Sequence, residues 1–154
     1  MTPPLTATPT THRLRVFVYG TLKPGEANYD YLQGKTFSVC DAVTKGHLYH
    51  LPTLGYPALI PGTGTVYGSL LHFIDPEILA HLDALEGYAP DRPARENEYQ
   101  RQQLAVYSLN GAPLGQAWGY VMTPEHVKEL GGILLPSGWW SGRELPSDEI
   151  STPK

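Results

Sequence analysis

The chain has 154 residues, enough for one domain whose hydrophobic core needs neither a disulfide nor a metal for stability. Hydrophobic residues form 41% of the chain and charged residues 17%, and the formal net charge is -4 at pH 7. The sequence has no cluster of Lys and Arg of the kind that phosphate contacts need, so we expect no nucleic-acid partner.

Cysteine content and hydropathy predict a cytoplasmic location. The single cysteine, Cys40, cannot form an internal disulfide, which favours a reducing compartment. The first ten residues have neither the basic start nor the apolar stretch of a signal peptide. No apolar run approaches the roughly 20 residues that a membrane span needs, so we expect no membrane association. The sequence does not indicate an oligomeric state.

A single domain is predicted at residues 13–143. Residues 1–12 are rich in Thr and Pro without a hydrophobic pattern, and residues 144–154 are polar, so both ends are expected to be flexible tails. The 16 Gly and 15 Pro residues lie mostly between short apolar runs. This distribution is typical of many short strands joined by tight turns.

The first part of the domain is predicted to be mostly β-structure. Residues 13–19 are rich in β-branched and aromatic side chains and predict a strand that ends at the turn-rich segment 20–25. One helical turn is expected at 28–32. Residues 36–51 predict two short strands, or one strand bent at a bulge, with the interruption at Gly46.

One amphipathic helix follows. A short apolar piece at 54–64 and a strand at 65–74 precede residues 75–77, Asp-Pro-Glu. These combine a capping residue, a proline suited to the first helical position and an acid near the positive end of the helix dipole. Apolar residues at helical spacing continue to Leu85, and Gly87 is the expected stop.

The remaining residues predict a hairpin and a short helix. A polar loop at 88–98 precedes two strands, at 99–109 and 114–122, which flank an Asn-Gly pair typical of hairpin turns. A short helix is expected at 124–130, followed by an irregular segment at 131–143. The order of elements predicts an α+β fold whose mostly antiparallel sheet curls into a small barrel.

The segment Gly20-Thr21-Leu22-Lys23-Pro24-Gly25 has the glycine spacing of a phosphate-binding loop. The next residues are Glu and Ala, where such a loop needs Lys and then Ser or Thr, so nucleotide binding is not expected. A sharp turn after a buried strand still directs several backbone N–H groups to one point, which suits a carboxylate or a developing oxyanion. The alternative is a tight turn without a ligand.

Glu86 lies in the last turn of the predicted helix, where the helix dipole disfavours a carboxylate. Asp83, one turn earlier, adds like charge. Both effects should raise the pKa of Glu86 above 5. A functional site that needs a basic carboxylate would retain this arrangement, whereas the structural alternative is a solvated Glu at a frayed helix end.

Five segments, in order, carry a family resemblance that spans most of the chain, from Arg15 to about Tyr120. They are Tyr19-Gly20-Thr21-Leu22-Lys23-Pro24-Gly25, Gly46-His47-Leu48-Tyr49, Tyr56-Pro57-Ala58-Leu59, Val66-Tyr67-Gly68 and Leu82-Asp83-Ala84-Leu85-Glu86-Gly87-Tyr88. Each motif is short, and their order and spacing make the match specific. Together they resemble the gamma-glutamylcyclotransferase-like family, also called AIG2-like.

The resemblance implies a small mixed β-barrel with flanking helices and a reaction that cyclises a γ-glutamyl unit to 5-oxoproline, releasing an amine or amino acid. It implies that Tyr19, Gly20, Thr21 and Leu22 form the substrate loop and that Glu86 is the catalytic glutamate. Tyr99 corresponds to a pocket tyrosine, although it follows an unusually long loop. The only partner implied is a small γ-glutamyl substrate, and neither a metal nor a cofactor is required.

Two other functions remain open from the sequence. One is a binding module of the same fold without catalysis, and the other is a different acyl-transfer or hydrolytic reaction in the same pocket. Cys40 is interpreted as a small buried residue, and the four histidines His47, His50, His72 and His81 as surface residues. Trp139 and Trp140 are expected to cover a barrel end or to line the pocket mouth.

Overall fold

The computed structural model describes residues 14–32, 36–93 and 96–142. The predicted tails, 1–12 and 144–154, lie outside these ranges, as do both end residues of the predicted domain. Within the described ranges, no helix is long and apolar enough to cross a membrane.

Six strands and two α-helices form the described part of the chain, together with a 3₁₀ helix at Tyr29–Leu32. In chain order they are β1 (Leu14–Val18), β2 (Thr36–Leu51), β3 (Tyr56–Phe73), α1 (Ile78–Leu85), β4 (Gln100–Tyr107), β5 (Pro113–Val121), α2 (Pro124–Glu129) and β6 (Ile133–Leu135).

The sheet closes into a barrel. Its strands follow the order β3-β1-β5-β4-β2, and β2 pairs back with β3 to complete the circle, while β6 pairs with the end of β2. The pair of β1 and β5 is parallel, with Val16 opposite Trp118, and the other pairs are antiparallel. The predicted mixed, mostly antiparallel barrel with flanking helices is therefore confirmed.

The two longest strands are more continuous than the sequence pattern suggested. β2 runs through Gly46 with a register shift between Lys45 and Gly46, which agrees with the bent-strand alternative. β3 joins the predicted apolar piece at 54–64 to the strand at 65–74. The strands approach closely at the bulge, where a Cβ on Gly46 would lie 2.6 Å from the carbonyl oxygen of Ile60. Long pairing between neighbouring strands thus overrides the local turn signals.

Apolar side chains alternate between two clusters, as the period of a strand requires. One cluster, with Phe17, takes side chains from all five barrel strands and fills the barrel interior. The other, with Val16 and Val18, packs against Ile78 and Leu82 of α1 and so lies between barrel and helices. β1 therefore packs against apolar side chains on both faces.

The helix predicted between the start signal at 75–77 and the stop at Gly87 is confirmed as α1, Ile78–Leu85, with a later start. The Asp75 carboxylate accepts a hydrogen bond from the N–H of Glu77 over 2.9 Å, and Ile78 N–H donates to the carbonyl of Asp75 over 3.2 Å. Asp75 therefore caps a turn in front of the helix. At the other end Gly87 has φ +68°, a conformation that ends the helix at little cost for glycine.

The predicted hairpin forms, with a connection at 108–112 in place of the predicted 110–113. Ser108 N–H donates to the carbonyl of Ala112 over 2.8 Å, and Gly111 supplies a φ of +92°. The predicted helix at 124–130 is found as α2. The segment predicted to be irregular contains β6, which pairs with Leu48, Tyr49 and His50 of β2.

Two predicted burial states are wrong. Cys40 is exposed, because β4 pairs with β2 only at Val43 and Thr44 and leaves the Cys40 stretch with a partner on one side. His50 is buried, because Trp140 covers it and donates a hydrogen bond from Nε1 to its Nδ1 over 3.0 Å. Long-range packing decides both cases.

Candidate active site

A cavity of about 250 Å³ lies where the end of β1, the start of β3, the end of α1 and the segment before β4 meet. All six residues predicted for the site line it: Tyr19, Gly20, Thr21, Leu22, Glu86 and Tyr99. The sequence reasoning did not select Asn28, Tyr56, Glu98 and Tyr120, which also line it.

The turn after β1 forms one wall of the cavity. Lys23 N–H donates to the carbonyl of Gly20 over 3.1 Å, and Asn28 binds Thr21 twice, from its backbone N–H at 2.8 Å and from Nδ2 to Oγ1 at 3.0 Å. A Cβ on Gly20 would lie 2.8 Å from Cγ of Pro57. Only glycine allows the turn to pack this closely against β3.

The turn also presents unused donors. Within the described ranges, the backbone N–H groups of Thr21 and Leu22 have no hydrogen-bond acceptor in the protein. Buried backbone donors normally have a partner. This cavity wall is therefore suited to an anionic or carbonyl oxygen of a ligand.

Tyr19 is held by the backbone on two sides. Its hydroxyl donates to the carbonyl of Tyr120 over 2.6 Å and accepts from the N–H of Leu59 over 3.2 Å. Burial, followed by the charge of Glu86, raises the pKa of Tyr19 well above its usual value. Its hydroxyl is thus neutral and occupied, so Tyr19 fixes the position of the turn.

Glu86 caps the C-terminal end of α1, where its N–H donates to the carbonyl of Leu82 over 2.9 Å. The side chain is partly buried. Burial, followed by the charge of the nearby Glu98 carboxylate, raises the pKa of Glu86 to about 7. Among the described residues, the Glu86 carboxylate has no hydrogen-bond partner. It therefore remains available to a ligand.

The predicted rise in the Glu86 pKa has a different cause from the one expected. Asp83 accepts hydrogen bonds from Arg101 Nη1 over 2.5 Å and from the Tyr120 hydroxyl over 2.7 Å. Its charge is balanced by Arg101, so it is not the group that acts on Glu86. The Asp83 contacts instead join α1 to β4 and β5, and thereby fix the helix that carries Glu86.

Glu98 is the acidic neighbour that the sequence reasoning missed. Its N–H donates to the carbonyl of Gly87 over 2.9 Å, and a Cβ on Gly87 would lie 2.9 Å from Cβ of Glu98. The Tyr56 hydroxyl donates a short hydrogen bond to Glu98 Oε2. In the sequence, only its position before Tyr99 indicates that Glu98 could reach the cavity. The loop that brings it to Gly87 has no recognisable pattern.

Tyr99 reaches the cavity despite the long loop before it. Its hydroxyl donates to the carbonyl of Pro57 over 2.5 Å, and its ring lies 6.3 Å from the ring of Tyr56. Burial is the main cause of a raised pKa for Tyr99. Like Tyr19, Tyr99 is a neutral part of the cavity wall, and its hydroxyl already has a hydrogen-bond partner.

The cavity has an unbalanced negative charge. Glu86 and Glu98 both line it, and none of the described lining residues is Lys, Arg or His. A ligand with a positive group near these carboxylates and an oxygen near the Thr21 and Leu22 N–H groups would satisfy both walls. Within the described ranges, the cavity included, no three His, Cys, Asp or Glu side chains come together as metal ligands.

The fold and the cavity define a small β-barrel protein with an acidic pocket. The chain belongs to the family described as gamma-glutamyl cyclotransferase, AIG2-like, whose model matches residues 16–142.

Relatives support the assignment in sequence and in structure. The gamma-glutamylcyclotransferase family protein YtfP of Escherichia coli K12 is 33% identical over 132 residues, which are 85% of this chain and 99% of YtfP. The crystal structure of an AIG2-like protein from Mus musculus has a TM-score of 0.65 and 25% identity, covering 89% of this chain and 93% of the mouse chain. A solution structure from Arabidopsis thaliana, at 22% identity and a TM-score of 0.58, covers 90% of this chain and 80% of its own and shows the shared fold.

Proposed function

We propose that the protein is an enzyme that cyclises a γ-glutamyl amine or peptide to 5-oxoproline and releases the amine or amino acid. The proposal rests on Glu86, a carboxyl group with a pKa of about 7 and no hydrogen-bond partner among the described residues. The cavity that it lines is also lined by Thr21 and Leu22, whose N–H groups are free within the described ranges. Family membership and the names of the relatives agree with this reaction class.

Glu86 acts as general base and then as general acid. The α-ammonium of the γ-glutamyl unit must lose a proton before its nitrogen can attack the γ-carbonyl. Glu86 takes that proton and later returns it to the leaving nitrogen as the C–N bond breaks. A pKa near the working pH suits both steps, and such catalysis typically contributes about 10²- to 10⁴-fold.

The turn after β1 stabilises the charge that develops on the carbonyl oxygen. Attack places negative charge on that oxygen, and the N–H groups of Thr21 and Leu22 are the available donors. One donor of this kind is worth about 3 kcal/mol in known sites. Because ring closure is intramolecular, a pocket that folds the substrate into its reactive shape supplies much of the remaining rate increase.

A substrate screen tests the proposal. Purified protein is incubated with a γ-glutamyl amine, a γ-glutamyl amino acid and glutathione, and 5-oxoproline is measured. We expect release from at least one of these and a loss of about 10²-fold or more in Glu86→Gln. Release from none of them would contradict the proposal. Tight binding without turnover would instead indicate a binding module.

A further inference from the structure

Two carboxylates share one cavity wall, and the protein anchors them differently. Glu98 is fixed through its backbone to Gly87 and through Oε2 to the Tyr56 hydroxyl. Glu86 has no such side-chain contact among the described residues. The difference points to a division of roles between two groups of the same type.

The hydrogen bond from Tyr56 fixes the position of the Glu98 carboxylate. Tyr56 donates to Oε2 only, so the other acceptor sites of the carboxylate can still bind a donor on a ligand. Tyr56 remains a neutral donor, because burial and the contact with Glu98 raise its pKa above the usual value. Glu98 is therefore held in one position at the cavity, whereas the Glu86 carboxyl group has no such anchor among the described residues.

An ammonium group fits between two such carboxylates. It has three N–H donors, so it can bind both side chains at once. Within the described ranges the one recorded ion pair joins Arg101 to Asp83, so Glu98 has no cationic partner there. A positive group on the ligand would balance the charge that the pocket leaves uncompensated.

We propose that Glu98 is a second substrate-binding residue, which holds the α-ammonium of the γ-glutamyl unit while Glu86 transfers the proton. The proposal rests on the proposed function, since it assigns one end of the same substrate. The ammonium donates one N–H to each carboxylate. The proton passes from nitrogen to Glu86, and the nitrogen lone pair then attacks the γ-carbonyl, while Glu98 still accepts a hydrogen bond from the nitrogen.

A binding experiment tests this role without turnover. The dissociation constant of γ-glutamyl methylamide is measured by calorimetry in Glu86→Gln and in the double variant Glu86→Gln/Glu98→Gln. The monomethylamide of glutaric acid, which lacks the ammonium, is the matched ligand. Glu96→Gln in the Glu86→Gln background is the matched variant, because Glu96 is exposed in the same loop.

We expect Glu98→Gln to raise the dissociation constant of γ-glutamyl methylamide by about 10- to 100-fold, the factor expected for one hydrogen bond between charged groups. The glutaric acid amide should bind both variants equally, and Glu96→Gln should leave the dissociation constants of both ligands unchanged. Equal binding of γ-glutamyl methylamide with and without Glu98 would overturn the Glu98 role and leave the proposed function standing. If neither ligand binds, the γ-glutamyl site itself is wrong, and both proposals fall.

Discussion

The ammonium of Lys23 donates a hydrogen bond to the carbonyl oxygen of Trp140 and so joins the cavity turn to the C-terminal segment. Lys23 is 1% exposed, and its Nζ lies 3.3 Å from the centroid of the Trp139 ring. Nearby, Gly142 N–H donates to Glu26 Oε1 over 3.0 Å. The turn that forms one wall of the cavity is thus supported from outside by a segment more than one hundred residues away in sequence.

Lys23→Ala should therefore destabilise the fold. The substitution removes a buried side chain, its hydrogen bond and its contact with Trp139, and we expect a loss of about 2 to 4 kcal/mol in the free energy of unfolding. Urea denaturation followed by Trp fluorescence measures it. Lys128→Ala, at an exposed position of α2, should change stability by less than about 0.5 kcal/mol. Equal effects of the two variants would show that the Trp140 contact is unimportant.

Glu86→Gln should change how stability depends on pH. Glu86 holds its proton more tightly in the folded state, with a pKa of about 7 against 4.5 when unperturbed, so wild type loses stability as pH rises through that interval. Glutamine removes this dependence. Because solvent screens the partly exposed carboxyl group, we expect the variant to gain about 1 to 2 kcal/mol relative to wild type between pH 4 and pH 8.

Thermal and urea unfolding at both pH values provide the comparison. Glu96→Gln removes the same charge at an exposed site and should follow the wild-type profile. Parallel profiles for wild type and Glu86→Gln would mean that the Glu86 pKa is close to normal.

Gly20→Ala should impair the cavity more than the fold. The added Cβ would meet Cγ of Pro57 at 2.8 Å and push the turn away from β3. We expect a stability loss of about 1 to 3 kcal/mol together with a clear fall in kcat/KM. Gly111→Ala is the matched change, because its φ of +92° imposes strain in a hairpin connection that does not line the cavity. Gly111→Ala should lose about 1 kcal/mol of stability and keep its kcat/KM. Equal kcat/KM for the two variants would contradict the assignment of the Gly20 turn to the active site.

Asp83→Ala should be strongly destabilising. It would leave Arg101 without its carboxylate, and Nε of Arg101 already has no hydrogen-bond partner within the described ranges. Removing one partner of a largely buried ion pair costs about 3 to 5 kcal/mol, and the partial exposure of both side chains reduces our expectation to about 2 to 3 kcal/mol. Asp91→Ala, in an exposed part of the loop, should stay within about 0.5 kcal/mol of wild type. A similar small loss for Asp83→Ala would show that α1 is held by apolar packing alone.

Local patterns in the sequence predict much of the cavity. The turn at Gly20 follows directly from a strand that ends at a glycine, and Glu86 is identified by its position before the helix stop at Gly87. The prediction that Tyr99 lines the pocket comes from the family resemblance. The signals for Gly20 and Glu86 depend on residues close together in the chain, which is why the sequence alone reveals them.

Residues that reach the cavity or the core through distant contacts were not predictable in this way. Glu98 depends on the path of a loop with no periodic pattern, and His50 depends on Trp140, ninety positions later. Asp83 was expected to act on Glu86 as a like charge. Its ion pair with Arg101 could not be predicted, because only the folded barrel brings the two side chains together. Trp139 and Trp140, predicted as a pair, separate: Trp140 enters the barrel interior and Trp139 is 46% exposed over Lys23.

The pH dependence of 5-oxoproline release tests the central role of Glu86 most directly. For wild type, kcat/KM should rise with pH through a midpoint near 7, as the Glu86 carboxyl group ionises and becomes a base. Glu86→Gln should lower the rate by about 10²- to 10⁴-fold and abolish this midpoint, while Glu96→Gln should retain both rate and midpoint. Release by Glu86→Gln at the wild-type rate, with the same pH profile, would contradict the assignment of Glu86 as the acid and base.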